Sequence, residues 1–527
     1  ALSSAASDVY KRQLLDCTLR DGGYCNDWTF GQDNIHSIIN GLLEANIDLI
    51  ECGYLSQKQE YNIDRTQYSS FEQLSRFIPA DKEGKSFVVM INYGEFNIDD
   101  IPVYDGSSVD GIRVCFHKKK RFDALEYCKQ VAEKGYKVFI QGMVSLSFTD
   151  EEFIDFIKRS NEIKPYAFYI VDSFGMMKSK DLLRLFYIVE HNLDSSISIG
   201  FHSHNNMQLA YSNCLLLTQV QSDRPIIIDS SVYGMGRGAG NLNTEIFTEY
   251  LNENHNANYK LKPMLVIVDD ILDSFYKKNY WGYSLPNYIS AKNNAHPNYA
   301  KILDDKKTLT VEDMENIFLL MEEDKKVEFD SKYIEELYVK YLDAGKVQHE
   351  HKGELEQQLK GKTIILVAPG KSSVEEMDKI KHEDGVVISV NFDYTLSDYI
   401  FLSNLRRYRE LPKDKYKKCI VTSNIASDGV YMQTKYRSLL NNVEAVKDNA
   451  GLMAIRFLMN YDISEIKLAG FDGYSHDTME NYADKNMEVI TRNAILDAMN
   501  VGMKSVIKEY SKRVKISFLT TPKYVEI

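Results

Sequence analysis

Eight short runs rich in β-branched and aromatic residues alternate with amphipathic segments of helical length between residues 14 and 232. The predicted strands are 14–19, 47–53, 87–92, 110–116, 137–144, 166–172, 197–203 and 225–232. The predicted helices between them include 33–46, 120–134, 150–161, 179–192 and 206–220. Such alternation implies parallel strands joined by crossover helices. Eight units within about 230 residues match the count and size of a TIM (β/α)8 barrel.

Polar residues stand at the end of nearly every predicted strand. They are Arg20, Glu51, Asn92, Arg113, Gln141, Asp172, His202 and Asp229. The same alternation can also be written as a doubly wound open sheet. The barrel is favoured because the carboxyl ends of its strands surround a polar mouth. Two roles, a polar network at the mouth and substrate binding, stay open for Glu51, Arg113, Gln141 and Asp172.

The length of 527 residues exceeds that of one ordinary domain. A barrel is predicted at 14–260, a helical extension at 261–345, and a polar linker at 346–361. A second alternation of strands and helices over 362–527 predicts a Rossmann-like parallel sheet. Residues 1–13 are small and polar and have no pattern that joins them to the first strand. We expect them to be a disordered or non-native leader outside the fold.

Charge and cysteine usage exclude some classes of partner. The net charge of −13 argues against nucleic acid or an anionic membrane surface as the main partner. No apolar run reaches about 18 residues, so no transmembrane helix is predicted. The seven cysteines are scattered and include no C-x-x-C pair. This usage is typical of reduced thiols in a cytoplasmic protein, and it favours buried structural thiols over a thiolate zinc site.

One carboxylate and two imidazoles are expected to meet at the barrel mouth. Asp21 follows the first predicted strand, and His202 and His204 lie at the end of the seventh. Residues i and i+2 of a strand point the same way, so the two imidazoles face one side. With the carboxylate across the mouth, they would form an N,N,O set for a divalent cation that leaves positions open for substrate.

Three motifs in this order resemble the pyruvate-carboxyltransferase-like, or HMG-CoA lyase-like, metallolyases. They are Leu-Arg-Asp-Gly at 19–22, His-Ser-His-Asn-Asn at 202–206 and Gly-Arg-Gly-Ala-Gly-Asn at 236–241. The family includes 4-hydroxy-2-oxovalerate aldolase, hydroxymethylglutaryl-CoA lyase and isopropylmalate synthase. The resemblance covers roughly residues 14–300.

This resemblance implies that Asp21, His202 and His204 are metal ligands. It also implies that Asn241 is a fourth ligand or holds a metal-bound water. The favoured ions are Mn²⁺ and Mg²⁺, with Co²⁺ and Zn²⁺ as alternatives. Arg20 would stabilise the pyruvate-type enolate that bond formation next to a carbonyl requires.

Within this family, the chain most resembles the aldolase branch. Its segment 281–288 is similar to the aldolase stretch that carries a catalytic tyrosine, and Tyr283 and Tyr288 are both candidates for that role. One position departs from the aldolases, which place a histidine base three residues after the metal aspartate, where this chain has Tyr24. A tyrosine with an ordinary pKa of about 10 is a poor base at neutral pH. Either Tyr24 is an acid or hydrogen-bond donor, or another residue is the base, or the substrate differs.

The C-terminal unit carries Gly370-Lys371-Ser372 after a predicted strand. This is not a Walker A motif, because Ile365 stands where the first glycine is required. Bacterial sialyltransferase-like Rossmann domains are similar to this chain at 368–372, 390–392 and 468–474. That resemblance implies a nucleotide or nucleotide sugar held at Gly370, Ser372 and Asn391, while a purely structural role stays open.

The combined expectation is a metal-dependent aldolase that makes or cleaves a C–C bond between a 2-oxo acid and an aldehyde. The predicted substrate-binding residues are Ser173, Asp172 and Arg113. The sialyltransferase-like unit suggests a place in surface-glycan synthesis, and a homo-oligomer is compatible with the sequence. Two alternatives stay open: a Claisen-type acyl-CoA synthase, and a non-catalytic metal-binding barrel attached to a nucleotide-sugar-binding transferase.

Overall fold

The computed structural model describes residues 12–306, 308–345, 347, 351–484, 487 and 493–525. Contacts divide the chain into two compact units. The first runs to Ala300 and includes Glu323–Phe329, and the second contains Lys301–Glu322 and the chain from Asp330 onward.

The first unit is a closed barrel of eight parallel strands. Its strands are β1 (Arg12–Asp16), β2 (Leu49–Leu55), β4 (Ser86–Asn92), β5 (Gly111–Phe116), β6 (Lys137–Gly142), β7 (Ala167–Asp172), β8 (Ser198–Ser203) and β9 (Ile226–Ser230), and a short β3 (Gln67–Tyr68) pairs with β2. The barrel closes because β1 pairs in parallel with both β9 and β2. The predicted TIM barrel is confirmed, and the open-sheet alternative is wrong.

Helices cover the outside of the barrel and continue beyond β9. They are α1 (Gln32–Glu44), α2 (Phe71–Ser75), α3 (Arg121–Glu133), α4 (Asp150–Ile163), α5 (Ser179–Asn192), α6 (Ala210–Gln219), α7 (Thr244–His255), α8 (Leu261–Ile267), α9 (Asp273–Lys278) and α10 (Leu285–Lys292). In α1, the buried residues Ile35, Ile38 and Leu42 recur at the spacing of one helical face. This apolar face packs on the strands and fixes their order.

The barrel interior is filled with side chains. Leu15, Val88, Phe139, Tyr169 and Ile227 form one buried apolar cluster inside the strands. A packed interior is usual for barrels of eight strands, in which layers of side chains leave no channel. The polar residues of the mouth therefore rest on a rigid floor.

The second unit contains a parallel sheet with the strand order β14-β13-β12-β11-β10-β15-β16. Its strands are β10 (Thr363–Val367), β11 (Val386–Val390), β12 (Tyr399–Leu402), β13 (Cys419–Thr422), β14 (Met432–Thr434), β15 (Glu465–Ala469) and β16 (Ile516–Phe518). Its helices include α12 (Val311–Leu319), α13 (Ser331–Asp343), α14 (Lys352–Leu359), α15 (Ser372–Glu375), α16 (Met377–His382), α17 (Leu405–Glu410), α18 (Ala450–Leu458) and α19 (Asn493–Tyr510), and α11 (Pro297–Asp305) begins in the first unit. The predicted Rossmann-like sheet is confirmed, although its edge strand β14 was not predicted.

Several predicted boundaries differ from the structure, and three of them have a physical reason. Arg12 and Gln13, placed in the leader, belong to β1, and residues 1–11 lie outside the described residues. The predicted linker contains α14, whose Leu355 and Leu359 are buried. Two leucines four residues apart are too sparse a pattern to be separated from a polar linker. The first strand ends at Asp16 rather than at residue 19, because the chain turns immediately afterwards.

Candidate metal centre at the barrel mouth

A tight turn after β1 carries Arg20 and Asp21 into the barrel mouth. The amide of Cys17 still donates to the carbonyl of Ser230 on β9, and the amide of Asp21 then folds back to the carbonyl of Cys17 at 2.8 Å. Gly23 follows in a 3-10 turn, where an added Cβ would overlap the indole ring of Trp28. Gly23 therefore permits a close packing that fixes this turn.

The three predicted metal ligands come together. One ligand atom from each of Asp21, His202 and His204 lies within 4.8 Å of the other two. The three residues are 1%, 4% and 3% exposed. His202 belongs to β8, and His204 follows that strand directly, so the two imidazoles reach the mouth from the same strand end.

The atoms around this set fit a divalent cation. Both His204 Nδ1 and Asn241 Oδ1 are buried without a hydrogen-bond partner in the described part of the chain. The Asn241 amide donates to Asp21 Oδ2 at 2.8 Å. Gly236 leaves room for this contact, because its added Cβ would lie 2.7 Å from Asp21 Oδ2. Two imidazoles, a carboxylate and an amide oxygen are ordinary ligands for Mn²⁺, Mg²⁺ or Zn²⁺.

The protonation states suit metal binding. Burial alone would raise the pKa of Asp21, but the charge of Arg20, together with nearby imidazoles, holds it well below its usual range. Burial lowers the pKa of His204 to about 3 despite the opposing charge of Asp21. Metal ligands must be deprotonated to bind, so this site needs no proton release from His204 near neutral pH.

Asp229 orients the imidazole ring of His202. It accepts hydrogen bonds from His202 Nδ1 at 2.9 Å, from the Tyr169 hydroxyl at 3.0 Å, and from Arg113 Nη2. With Nδ1 occupied, Nε2 is the nitrogen of His202 that remains for a metal. Burial would raise the pKa of Asp229, but the charge of Arg113 outweighs it and holds that pKa below its usual range.

Arg113 lies beneath the mouth rather than on its surface. Its guanidinium is fully buried, and it forms ion pairs with Glu51 at 2.7 Å and with Asp229. Of the two roles left open for Arg113 and Glu51, this geometry supports the polar network. The predicted substrate contact of Arg113 stays a prediction, and in the structure its charge is paired inside the barrel.

Arg20 keeps one donor free of protein contacts. Its Nε donates to Glu51 at 2.8 Å, and its Nη1 donates to Asp21. Its Nη2 is buried and has no hydrogen-bond partner among the described residues. Burial would lower the pKa of Arg20, but Glu51 and Asp21 raise it well above its ordinary value. A permanent cation with a free N–H therefore stands beside the metal carboxylate.

Asp172 and Ser173 have different roles in the structure. Both carboxylate oxygens of Asp172 accept backbone amides, those of Met176 and Met177, each at 3.0 Å, and burial raises the pKa of Asp172 to about 7. Asp172 thus organises the loop after β7 instead of facing a substrate. The Ser173 hydroxyl oxygen accepts the amide of Val144 at 2.9 Å, which leaves its proton available to donate.

The catalytic role of the two tyrosine candidates on the segment 281–288 stays a prediction. Tyr283 is 48% exposed, and Tyr288 is half-buried on α10. The nearby Trp281 is buried and donates to the carbonyl of Tyr233 at 3.0 Å. The tryptophan, rather than either tyrosine, is the residue that attaches this segment to the barrel.

Two side chains near the mouth, one cationic and one an imidazole, were given no role from the sequence. Arg237 donates to the Ser173 carbonyl at 2.9 Å, and its guanidinium lies 5.5 Å from the ring centre of Tyr24. His296 packs on Phe174 with ring centres 5.7 Å apart. Burial lowers the pKa of His296 well below its usual value, and the charges of Arg237 and His117 add to this. Arg237 and His296 both lie within or beside quoted motifs, but only the fold shows what they face.

The second unit contains a separate cavity of about 540 Å³. Residues that directly follow β10, β11, β12 and β15 line it, and these include Gly370 and Asn391. Ser372 is fully engaged by protein, since its amide donates to Asp472 at 2.8 Å and its hydroxyl donates to the same carboxylate. The carboxylate of Asp472 therefore occupies the turn that was predicted to hold a phosphate.

Comparisons with known proteins concern the barrel. Residues 116–270 match the HMGL-like family model. The chain is 28% identical over 244 residues to 4-hydroxy-2-oxovalerate aldolase of Pseudoalteromonas translucida, which covers 46% of this chain and 70% of that protein. It is 26% identical to oxaloacetate decarboxylase of Mycobacterium tuberculosis over 44% of this chain and 67% of that one.

Among solved structures, hydroxymethylglutaryl-CoA lyase of Pseudomonas aeruginosa aligns with a TM-score of 0.42 and 18% identity, over 52% of this chain and 96% of that one. A search of the described residues for a helix long and apolar enough to cross a membrane finds none. The similarity of the second unit to sialyltransferases stays a prediction. The barrel of this chain carries an HMGL-like, or pyruvate carboxyltransferase-like, domain.

Proposed function

We propose that the barrel is a divalent-metal-dependent aldolase that makes or cleaves a C–C bond of a 2-oxo acid through a pyruvate-type enolate. The observation that carries the proposal is the buried set of Asp21, His202 and His204 beside an arginine with a free donor. Mn²⁺ or Mg²⁺ is the proposed ion. The named relatives support a lyase in general, and the aldol reaction is the specific proposal.

A divalent cation held by these ligands would act as a Lewis acid toward the oxygens of a 2-oxo acid. Arg20 Nη2–H donates to the oxygen on which negative charge develops, and its cation is held in place by Glu51 and Asp21. The Ser173 O–H donates to the carboxylate of the 2-oxo acid. In the cleavage direction, the electrons of the breaking C–C bond pass into the enolate, and the hydroxyl proton of the substrate passes to water as the aldehyde forms. A proton from water then converts the enolate into the 2-oxo acid.

His296 is suited to donate a hydrogen bond rather than to accept a proton. Its Nδ1 accepts the backbone amide of Asn298 at 3.2 Å. A neutral imidazole held in this way carries its proton on Nε2. We therefore assign the base to a group other than His296, and Tyr24 keeps its role as a donor.

Exchange of the C3 protons of pyruvate for deuterium in D₂O, followed by NMR, tests the enolate directly. We expect exchange with Mn²⁺, none after chelation, and none in His202→Ala. Arg20→Met should slow exchange by about 10²–10³-fold. Exchange, or pyruvate release from an aldol substrate, that survives complete metal removal would contradict the proposal. Release of free CoA from acetyl-CoA with a 2-oxo acid would instead indicate the Claisen-type synthase.

We also propose that the cavity of the second unit binds a nucleotide or nucleotide sugar, which would connect the enzyme to surface-glycan synthesis. Its volume of about 540 Å³ and the adjoining backbone of Gly370 and Asn391 support this proposal. Arg406 lines the same cavity and can meet a phosphate in place of the turn at Ser372. Calorimetric titration with CMP, UDP and GDP tests it, and absence of heat with all three would reject it.

A further inference from the structure

Arg237 occupies the rim of the candidate metal centre. Its backbone amide donates to Asp21 Oδ2 at 3.3 Å. Its side chain spans the mouth, where Nη2 donates to the Ser173 carbonyl at 2.9 Å and the guanidinium lies over the ring of Tyr24. The next residue, Gly238, has a φ of +69°, so the chain turns sharply and directs this loop onto the site.

Arg237 differs from Arg20 and Arg113, the other two arginines at the mouth, in how its charge is balanced. Arg20 pairs with Asp21 and Glu51, and Arg113 pairs with Glu51 and Asp229. Within the described ranges, no carboxylate forms an ion pair with Arg237, and its buried Nε has no hydrogen-bond partner. A partly buried guanidinium with unused donors is costly unless an anion meets it.

The surroundings of Arg237 add to the positive potential. Burial is the main reason that the pKa of His117 lies below its ordinary value; the charge of Glu328 opposes this shift, and the charges of Arg237, Lys119 and Lys120 add to it. Lys119 is offset by an ion pair with Glu328 at 3.2 Å, whereas Arg237 has no such partner among the described residues. Arg237 is therefore the cation at this place whose charge an anionic ligand would balance.

We infer that Arg237 binds a carboxylate or phosphate group on the aldehyde partner, so that the physiological aldol substrate carries a second anionic group besides the 2-oxo acid. This inference rests on the proposed aldolase function. Arg20 Nη2 and the Ser173 hydroxyl are the donors that serve the 2-oxo acid. The Nε and Nη1 of Arg237 remain for the second reactant, and a guanidinium fork suits both carboxylate and phosphate.

The test compares charged and neutral aldehydes in aldol addition to pyruvate with Mn²⁺. Succinic semialdehyde is paired with butanal, and D-glyceraldehyde 3-phosphate with D-glyceraldehyde. Wild-type kcat/KM should favour one anionic aldehyde over its neutral partner by about 10- to 100-fold, the value of one charge-assisted contact. The aldehyde that is favoured tells a carboxylate from a phosphate.

Variants test whether Arg237 causes this preference for anionic aldehydes. Arg237→Met should abolish it, mainly through the KM for the aldehyde, and Arg237→Lys should retain part of it. Arg159→Met, an exposed arginine on α4, should leave the preference intact. In Arg237→Met, the fold-decrease in kcat/KM for anionic aldehydes should exceed the fold-decrease in the rate of pyruvate C3 exchange by at least about tenfold.

Two results would overturn the inference: equal use of charged and neutral aldehydes by the wild type, or an equal loss of pyruvate exchange in Arg237→Met. A wild type that never exchanges pyruvate would refute the proposed function instead. In that case, the anion site at Arg237 is tested by whether succinate or glycerol 3-phosphate raises the Tm of the protein when Mn²⁺ and oxalate are present. Stabilisation that disappears in Arg237→Met supports the anion site, and equal stabilisation of both proteins rejects it.

Discussion

Replacing Asp229 by asparagine tests whether the layer beneath the metal ligands sets metal affinity. In the structure, Asp229 fixes His202 through a 2.9 Å contact to Nδ1 while it also binds Arg113 and Tyr169. Asparagine keeps the size of the side chain but removes the negative charge and one acceptor. The single remaining carbonyl oxygen must then serve Arg113, Tyr169 and His202, so the contact that holds the His202 ring and sets which nitrogen is free is weakened.

The size of the effect follows from these contacts. Loss of a carboxylate that orients a metal-bound histidine typically lowers metal affinity 10- to 100-fold, or about 1.4 to 2.7 kcal/mol. The barrel should also lose stability, by about 3 kcal/mol, because Arg113 loses a buried partner. We expect no larger loss of stability than this, since Glu51 remains 2.7 Å from Arg113.

The measurement is calorimetric titration of chelator-stripped protein with Mn²⁺, on samples whose folding is checked by circular dichroism. Tyr169→Phe is the matched control, because it removes one hydrogen bond to the same carboxylate and leaves His202 Nδ1 bonded. We expect it to cost about 1 kcal/mol of stability and to change Mn²⁺ affinity less than about threefold. A folded Asp229→Asn protein that binds Mn²⁺ as tightly as the wild type would refute the reasoning.

The other predictions concern two glycines and one buried acid. Gly236→Ala should lose Mn²⁺ binding in the same titration, because its Cβ would lie 2.7 Å from Asp21 Oδ2 and overlap the Asn241 amide. Gly353→Ala should stabilise the second unit against urea by about 0.5–1 kcal/mol, since it lies in α14 with no atom within 4 Å of the added Cβ. Burial raises the pKa of Asp16 to about 6, so the folded state binds its proton more tightly than the unfolded chain. This proton stabilises the folded state fully below about pH 4, and the stabilisation of about 3 kcal/mol is lost by about pH 6. Asp16→Asn should flatten that part of the pH profile, measured by urea unfolding through the fluorescence of the two tryptophans, both of which lie in the first unit.

Regular patterns made much of the architecture predictable. The alternation of strands and helices identified all eight barrel strands, and several boundaries agree to within a residue, as at Gly111–Phe116 and Ala167–Asp172. The predictions failed where the pattern was short or interrupted. The three-residue strand Met432–Thr434 and the helix Lys352–Leu359 each have too few apolar residues to stand out from a loop.

Local patterns predicted some residues of the candidate site and could not predict the roles of others. Asp21, His202 and His204 could be named from the sequence, because a strand end, an i,i+2 pair and a glycine-rich loop are local patterns. Whether Arg113 serves a substrate or the barrel floor was not a local question. Its role depends on Asp229, more than a hundred residues away, which the closed barrel brings into an ion pair with it.

The sequence by itself therefore determined the parallel barrel, the second parallel sheet and the three candidate ligands, since each depends on residues that are neighbours along the chain. The tertiary structure alone decided which charges are already neutralised. Arg20 and Arg113 both face carboxylates from other strands, whereas Arg237 faces a backbone carbonyl and an aromatic ring. Charge balance in a buried site depends on distances across the barrel, and closure of β1 onto β9 sets those distances.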